Sequence, residues 1–128
     1  MKEVPIDFDR VEVTQDIFLN KDGHIVDSDN KIFEVKGYKN TPATKWCPVL
    51  ETMLDFLWKD EANGPTILNL QMLENPAPML SGHFDFYLER ISFNDQELIY
   101  WRITDFTSKY QEKRAEQQTF YNQILKKL

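Results

Sequence analysis

A chain of 128 residues has the length of one domain with one core. Its 41% hydrophobic and 13% aromatic content excludes a disordered chain, no apolar run reaches the roughly 18 residues that span a bilayer, and the start, Met1-Lys-Glu-Val-Pro-Ile-Asp7, lacks the apolar core of a signal peptide. A net charge of −6 argues against a general nucleic-acid surface, and the single cysteine, Cys47, excludes an intramolecular disulfide and a thiolate cluster.

A cytoplasmic chain without a membrane segment is therefore expected. The charge is uneven: from Lys109 onward five basic residues face two acidic ones, which leaves −9 on the rest. An acidic body with a mildly basic tail suits a module that docks onto a neighbouring domain.

Residues 1–13 contain Pro5 and read as an extended arm or short cap. Gln15 to Asn20, then Lys21-Asp-Gly23, then His24 to Ser28 form the clearest hairpin, because Asp22-Gly23 supplies the positive φ of a tight turn. Asp29 to Trp46, with Gly37 and Pro42, reads as one or two short helical turns, with Ile32, Phe33, Val35 and Tyr38 turned inward. Pro48 to Lys59 is the best internal helix. Pro48 fits a first turn, Val49, Met53, Phe56 and Leu57 repeat at helical spacing, and Leu50, Leu54 and Trp58 widen the apolar face. Asn63-Gly-Pro65 is its stop signal.

Three strand patterns follow: Thr66–Leu73, broken by Asn75-Pro-Ala-Pro78; His83–Phe93; and, after Asn94-Asp95, Gln96–Ile103. Short connections between them make an antiparallel meander. In the last strand Ile99, Trp101 and Ile103 share one face and Leu98, Tyr100 and Arg102 the other, so both faces are partly apolar. A partner subunit or the N-terminal arm is expected over the outer face. From Tyr110 onward the positions Tyr110, Arg114, Gln117, Tyr121, Ile124 and Leu128 mark a heptad seam on a helix about 30 Å long.

No residue set reads as catalytic. Asp27-Ser-Asp29-Asn30 opens like a calcium loop, but Ile32 and Tyr38 stand where that loop needs Gly and Glu. The two histidines, His24 and His83, do not make a zinc set. No Gly-rich phosphate loop and no nucleophile motif is present. Trp46, Phe56, Trp58, Leu70, His83, Phe84, Phe86 and Trp101 are the side chains from which a ligand pocket would be built, with Tyr100 beside them; simple core packing accounts for the same residues.

The strand Leu98-Ile-Tyr-Trp-Arg-Ile103, the junction Thr104-Asp-Phe-Thr107 and the polar helix after it resemble, in that order, the end of a PAS domain of the kind found in bacterial sensor histidine kinases. The resemblance covers roughly Thr14 to Leu128. It implies an α+β fold, a five-stranded antiparallel sheet with helices on one face and a long C-terminal signalling helix. The implied divisions are an arm at 1–13, a sensor domain at 14–107 and a linker or coiled-coil helix at 108–128. Asp105 and Thr107 become the signal junction, with Asp105 bonding back to the body or the linker. Tyr110, Gln117, Tyr121, Ile124 and Leu128 become the dimer seam.

The implied partners are a second copy, an output domain such as a histidine kinase core and a possible small-molecule ligand. The family's flavin-reactive cysteine sits in an Asn-Cys-Arg-Phe-Leu-Gln type motif, whose flanking residues are missing around Cys47. Its haem-ligating histidine sits on the internal helix, where this chain has none. The cofactor therefore stays unknown. No phospho-accepting histidine follows the helix, so kinase activity is not expected of this chain. An alternative is a small α+β ligand-binding or enzymatic domain with a cavity inside the curved sheet. It needs an acid–base pair such as Asp85 with His83, which strand alternation is expected to send to opposite faces. A further alternative is a pure dimerisation module with a filled core.

Overall fold

A computed structural model describes residues 13–59 and 66–127, with the side chains of 110–114 outside the described set. Residues 1–12 of the expected arm at 1–13, the Asn63–Pro65 stop, the Tyr110 and Arg114 side chains and Leu128 lie outside the described residues, while Val13 belongs to the first strand.

The opening hairpin joins β1 (Val13–Leu19) to β2 (Ile25–Ser28). Gly23 adopts φ +83 in its turn, and the Asn20 Oδ1 accepts the amides of Asp22 and His24, both at 3.0 Å. A single 3₁₀ turn, Lys36–Tyr38, and a short α1 (Ala43–Trp46) fill the undecided stretch before α2 (Val49–Lys59). Then come β3 (Ile67–Glu74), β4 (His83–Phe93), β5 (Gln96–Asp105) and α3 (Thr107–Lys127). Asn94 and Asp95 both take positive φ in the turn between β4 and β5, the geometry that matches the twist of a two-residue hairpin.

The five strands form one sheet in the order β2-β1-β5-β4-β3, and every neighbouring pair is antiparallel. The first strand thus lies beside the last at the centre, with Ile17 opposite Trp101 and Gln15 opposite Ile103. Alternation along the strands sends Ile17, Leu19, Phe84, Phe86, Leu88, Ile99, Trp101 and Ile103 to one face. There they bury against Leu50, Met53, Leu54 and Leu57 of α2. This α+β architecture is consistent with the PAS-like fold expected from the sequence.

Two polar residues hold the helical layer to that face. Gln15 is fully buried, and its amide reaches across to the loop after β2. Its Nε2 donates to the Ser28 hydroxyl at 2.8 Å and the Phe33 carbonyl at 3.1 Å; its Oε1 accepts from the amides of Ile32 and Phe33, both at 2.8 Å. On β4 the Arg90 Nη1 donates to the Leu57 carbonyl at 2.6 Å, satisfying one of the acceptors that a helix end leaves open.

Several boundaries and orientations differ from the sequence reading. β5 runs two residues past Ile103, and α3 starts at Thr107 rather than near Tyr110. Phe56 is 54% exposed, because it falls beyond the edge of the α2 stripe made by Leu50, Met53, Leu54 and Leu57. His83 and Asp85 stand two apart on β4, so they share a face instead of diverging, and it is the face opposite Phe84 and Phe86. His83 therefore does not join the core aromatics. The Asp85 Oδ1 accepts the Met72 amide at 2.7 Å, where β3 bulges and Met72 takes φ +58.

Candidate functional site

The end of β5 and the start of α3 are fastened to the body through one short segment. The Asp105 Oδ1 accepts the Thr107 amide at 2.9 Å, which turns the chain within one residue and makes Thr107 the first residue of α3. The Thr107 Oγ1 accepts the His83 amide at 3.1 Å, and the Phe106 amide donates to the His83 carbonyl at 2.8 Å. The start of the helix is thus pinned to the first residue of β4.

The residue before it, Gly82, has φ +129, and a Cβ built there would collide with the Thr107 hydroxyl. Gly82 in turn closes the β3–β4 loop. Its amide donates to the Asn75 Oδ1 at 2.7 Å, and its carbonyl accepts the Asn75 amide at 2.8 Å. Asp105 and Thr107 are the junction residues expected from the sequence. Asn75, Gly82 and His83 were missed as a group. The available signal was Asn75 and Gly82 bracketing a loop with two prolines, which reads only as a strand break.

Beyond this fastening α3 leaves the body. Its 21 residues run on with 115–127 exposed along the whole length, so the helix does not fold back on the sheet. Phe120, Tyr121 and Leu125 are 62–65% exposed and Ile124 is exposed as well. Tyr121 and Ile124 belong to the expected seam, with Gln117 exposed one turn earlier; Phe120 and Leu125 widen it. A lone helix of this length is marginal in water, and an unpaired apolar stripe calls for a partner.

The expected ligand pocket is largely filled by its own side chains. Trp101 is 0% exposed and meets Phe86 edge-on, ring centres 5.1 Å apart, and Trp46 at 5.9 Å. Trp46 continues to Phe33 at 5.9 Å and Tyr38 at 5.2 Å. Phe84 is buried beside them, and Leu70 is partly buried against the same cluster. Trp58 lies apart, at the end of α2, with the Lys21 and Arg90 cations 5.8 and 5.9 Å from its ring centre. The indole N–H groups of Trp46, Trp58 and Trp101 are buried and have no hydrogen-bond acceptor among the described residues. Burial pushes the Cys47 thiol up to about 12, with a smaller opposing effect from the Leu50 backbone. That makes it a poor nucleophile, since thiol chemistry needs the thiolate.

Cavities open at the surface instead. A groove of about 620 Å³ runs between Lys45, Trp46, Pro48 and Val49 on one side and Asn75, Pro76, Ala77, Pro78 and Ser81 on the other. A smaller one of about 330 Å³, beside Trp58, mixes Lys21 and Lys45 with Asp22, Glu51 and Asp55. Among the described residues no group of three or more His, Cys, Asp or Glu is arranged to hold a metal, and no helix is long and apolar enough to cross a membrane.

The outer face of the sheet carries a second aromatic set. Tyr100 lies 5.5 Å from Phe18 and 6.0 Å from Tyr87, ring centre to ring centre. The Tyr100 hydroxyl donates to the Asp16 carboxylate at 2.6 Å, and the Arg102 Nε reaches the same oxygen at 3.3 Å. Burial, and then this bond to Asp16, pushes the Tyr100 hydroxyl up to about 12. Tyr87 is raised chiefly by donating to the Glu89 carboxylate. The Arg102–Asp16 pair is half exposed, so it contributes at most about 1 kcal/mol.

No protein-family model, no curated protein and no solved structure matches this chain.

Proposed function

We propose that this chain is a sensory or regulatory module of the PAS type, a piece of a bacterial signalling protein such as a sensor histidine kinase. Its task is to pass a cue from the body, or from a partner, to an output domain through α3. The observation that carries this reading is the fastening of Thr107. A 21-residue helix with an exposed apolar stripe is attached to the sheet, among the described residues, through bonds that join Asp105, Phe106 and Thr107 to His83, with Gly82 packed against Thr107. A shift at that point changes how two such helices pack, and a balance between two packings is a signal.

The reading places two copies side by side, paired through Tyr121, Ile124 and the neighbouring Phe120 and Leu125, in the cytoplasm. The chain itself performs no chemistry in this account. A second reading, a pure dimerisation module, is favoured by the filled core around Trp101 and differs only in lacking a small-molecule cue.

The test compares the intact chain with one ending at Thr107, by circular dichroism and sedimentation velocity. Loss of dimer together with loss of the α3 helical signal is expected. Dimerisation that survives the truncation removes α3 as the contact.

A further inference from the structure

The groove between α1–α2 and the β3–β4 loop lies outside the core, yet one of its walls is the loop that fastens α3. We propose that this groove binds a small amphipathic carboxylate, an aromatic body with one carboxylate, and that α3 senses its occupancy through Asn75, Gly82 and Thr107. The second half of this proposal rests on the regulatory reading above; the first half does not.

Three observations carry it. The first is shape. The groove measures about 620 Å³, inside the range of about 300–1,000 Å³ typical of small-molecule sites. The Trp46 indole and the rings of Pro48, Pro76 and Pro78 give it flat apolar walls, and proline rings lose little freedom on binding.

The second is charge. The chain carries 21 acidic residues, but among the described residues none lines this groove, and the ionisable side chain found there is Lys45, which is exposed. The other polar groups are chiefly donors. Ser81 offers a hydroxyl. The Asn75 Oδ1 already accepts the Gly82 amide, which leaves the amino end of that side chain. A ligand that brings negative charge and acceptors complements this set, and a cation does not.

The third is connection. Leu80 and Ala77 anchor the loop into the core, while Asn75 and Gly82 clamp its two ends together. Gly82 has no room to move toward Thr107, where a single Cβ would already collide. A ligand wedged against Pro76 and Pro78 therefore loads the clamp, and the clamp bears on the first residue of α3.

The experiment titrates the isotopically labelled full chain with naphthylacetate and follows its amide and indole NMR signals. Naphthylmethanol and naphthylmethylamine serve as the uncharged and cationic probes. Saturable shifts at the Trp46 indole, Ala77 and Ser81, extending to Gly82 and Thr107, are expected. Lys45→Gln is expected to weaken naphthylacetate binding about tenfold, the equivalent of one lost charge-assisted contact. Pro78→Glu, also at an exposed position, should abolish it.

Shifts centred elsewhere, equal affinity for all three probes, or undiminished binding to both variants overturn the site. Groove shifts that stop at Ser81 overturn the relay. Sedimentation of the same samples without probe separates the cases. A dimer that persists through α3 while naphthylacetate fails to bind leaves the regulatory reading standing and this proposal refuted.

Discussion

Replacing Gly82 with alanine tests the α3 fastening in isolation. Gly82 has φ +129, a conformation that costs a residue with a side chain about 1–3 kcal/mol. The added methyl collides with the Thr107 Oγ1 and also comes within 3.2 Å of Thr107 Cβ and Cγ2, so rotating the threonine side chain does not relieve it. Relief requires Thr107 to retreat, which breaks its bond to the His83 amide, worth about 1 kcal/mol net. The Gly82→Ala chain should therefore lose about 2–4 kcal/mol in urea denaturation, with a lower midpoint and an unchanged slope.

Thr107→Ala alone should cost about 1 kcal/mol through the unpaired His83 amide. In the double variant the hydroxyl that the added methyl would strike is gone. The two costs should then fall short of additivity by about 1 kcal/mol. A Gly82→Ala cost below about 0.5 kcal/mol, the range of ordinary surface changes, would refute the reasoning, as would strict additivity.

Gln15→Leu should destabilise the chain by about 2–5 kcal/mol in the same assay, because the Ile32 and Phe33 amides lose their acceptor inside the fold; a smaller loss would mean that water reaches them. Trp101→Ala should cost about 3–5 kcal/mol, as a large aromatic removed from a packed core, and a chain that keeps its urea midpoint would contradict that packing. Cys47, fully buried and with its thiol pushed up to about 12, should react with iodoacetamide near neutral pH only as fast as the chain opens; rapid labelling of folded protein would contradict its burial.

Tyr100 is raised in the folded state from its ordinary value near 10 to about 12. Its contribution to stability is thus complete below pH 10 and disappears as pH rises through about 12. Denaturation midpoints should fall across that window more steeply in the intact chain than in Tyr100→Phe, and equal slopes would contradict the assignment.

Local signals made most of the body legible. Asp22-Gly23 marked the first turn, the helical spacing of Val49, Met53, Phe56 and Leu57 marked α2, and alternation placed β4 at His83–Phe93 to the residue. What stayed hidden was held by bonds between distant residues. Gln15 reads as one polar residue in a strand, and its four hydrogen bonds reach 13 to 18 residues along the chain. Arg90 caps α2 through the Leu57 carbonyl, 33 residues earlier. No periodicity encodes either.

α3 begins before its own apolar repeat because the Asp105 side chain, not hydrophobic spacing, sets its first residue. Phe56 matched the helical repeat, but a repeat gives the width of a stripe and not its edge. At the candidate site the sequence indicated Asp105 and Thr107, while the opposite half of the fastening lies 24 residues upstream of Thr107, at His83. Of the aromatic residues expected around a pocket, Trp46, Phe84, Phe86 and Trp101 instead pack into the core, and the groove lies outside, where two elements remote in sequence meet.

The central claim is that the Thr107 fastening and the pairing of α3 form one thermodynamic unit. The most direct measurement is the dimer dissociation constant from sedimentation equilibrium, for the intact chain and for Gly82→Ala. That substitution leaves every residue of α3 unchanged. If strain at the fastening is transmitted to the helix pair, the constant should change by about tenfold or more, since each 1.4 kcal/mol is a factor of ten. Identical constants for the two chains, with α3 helical in both, would contradict the account.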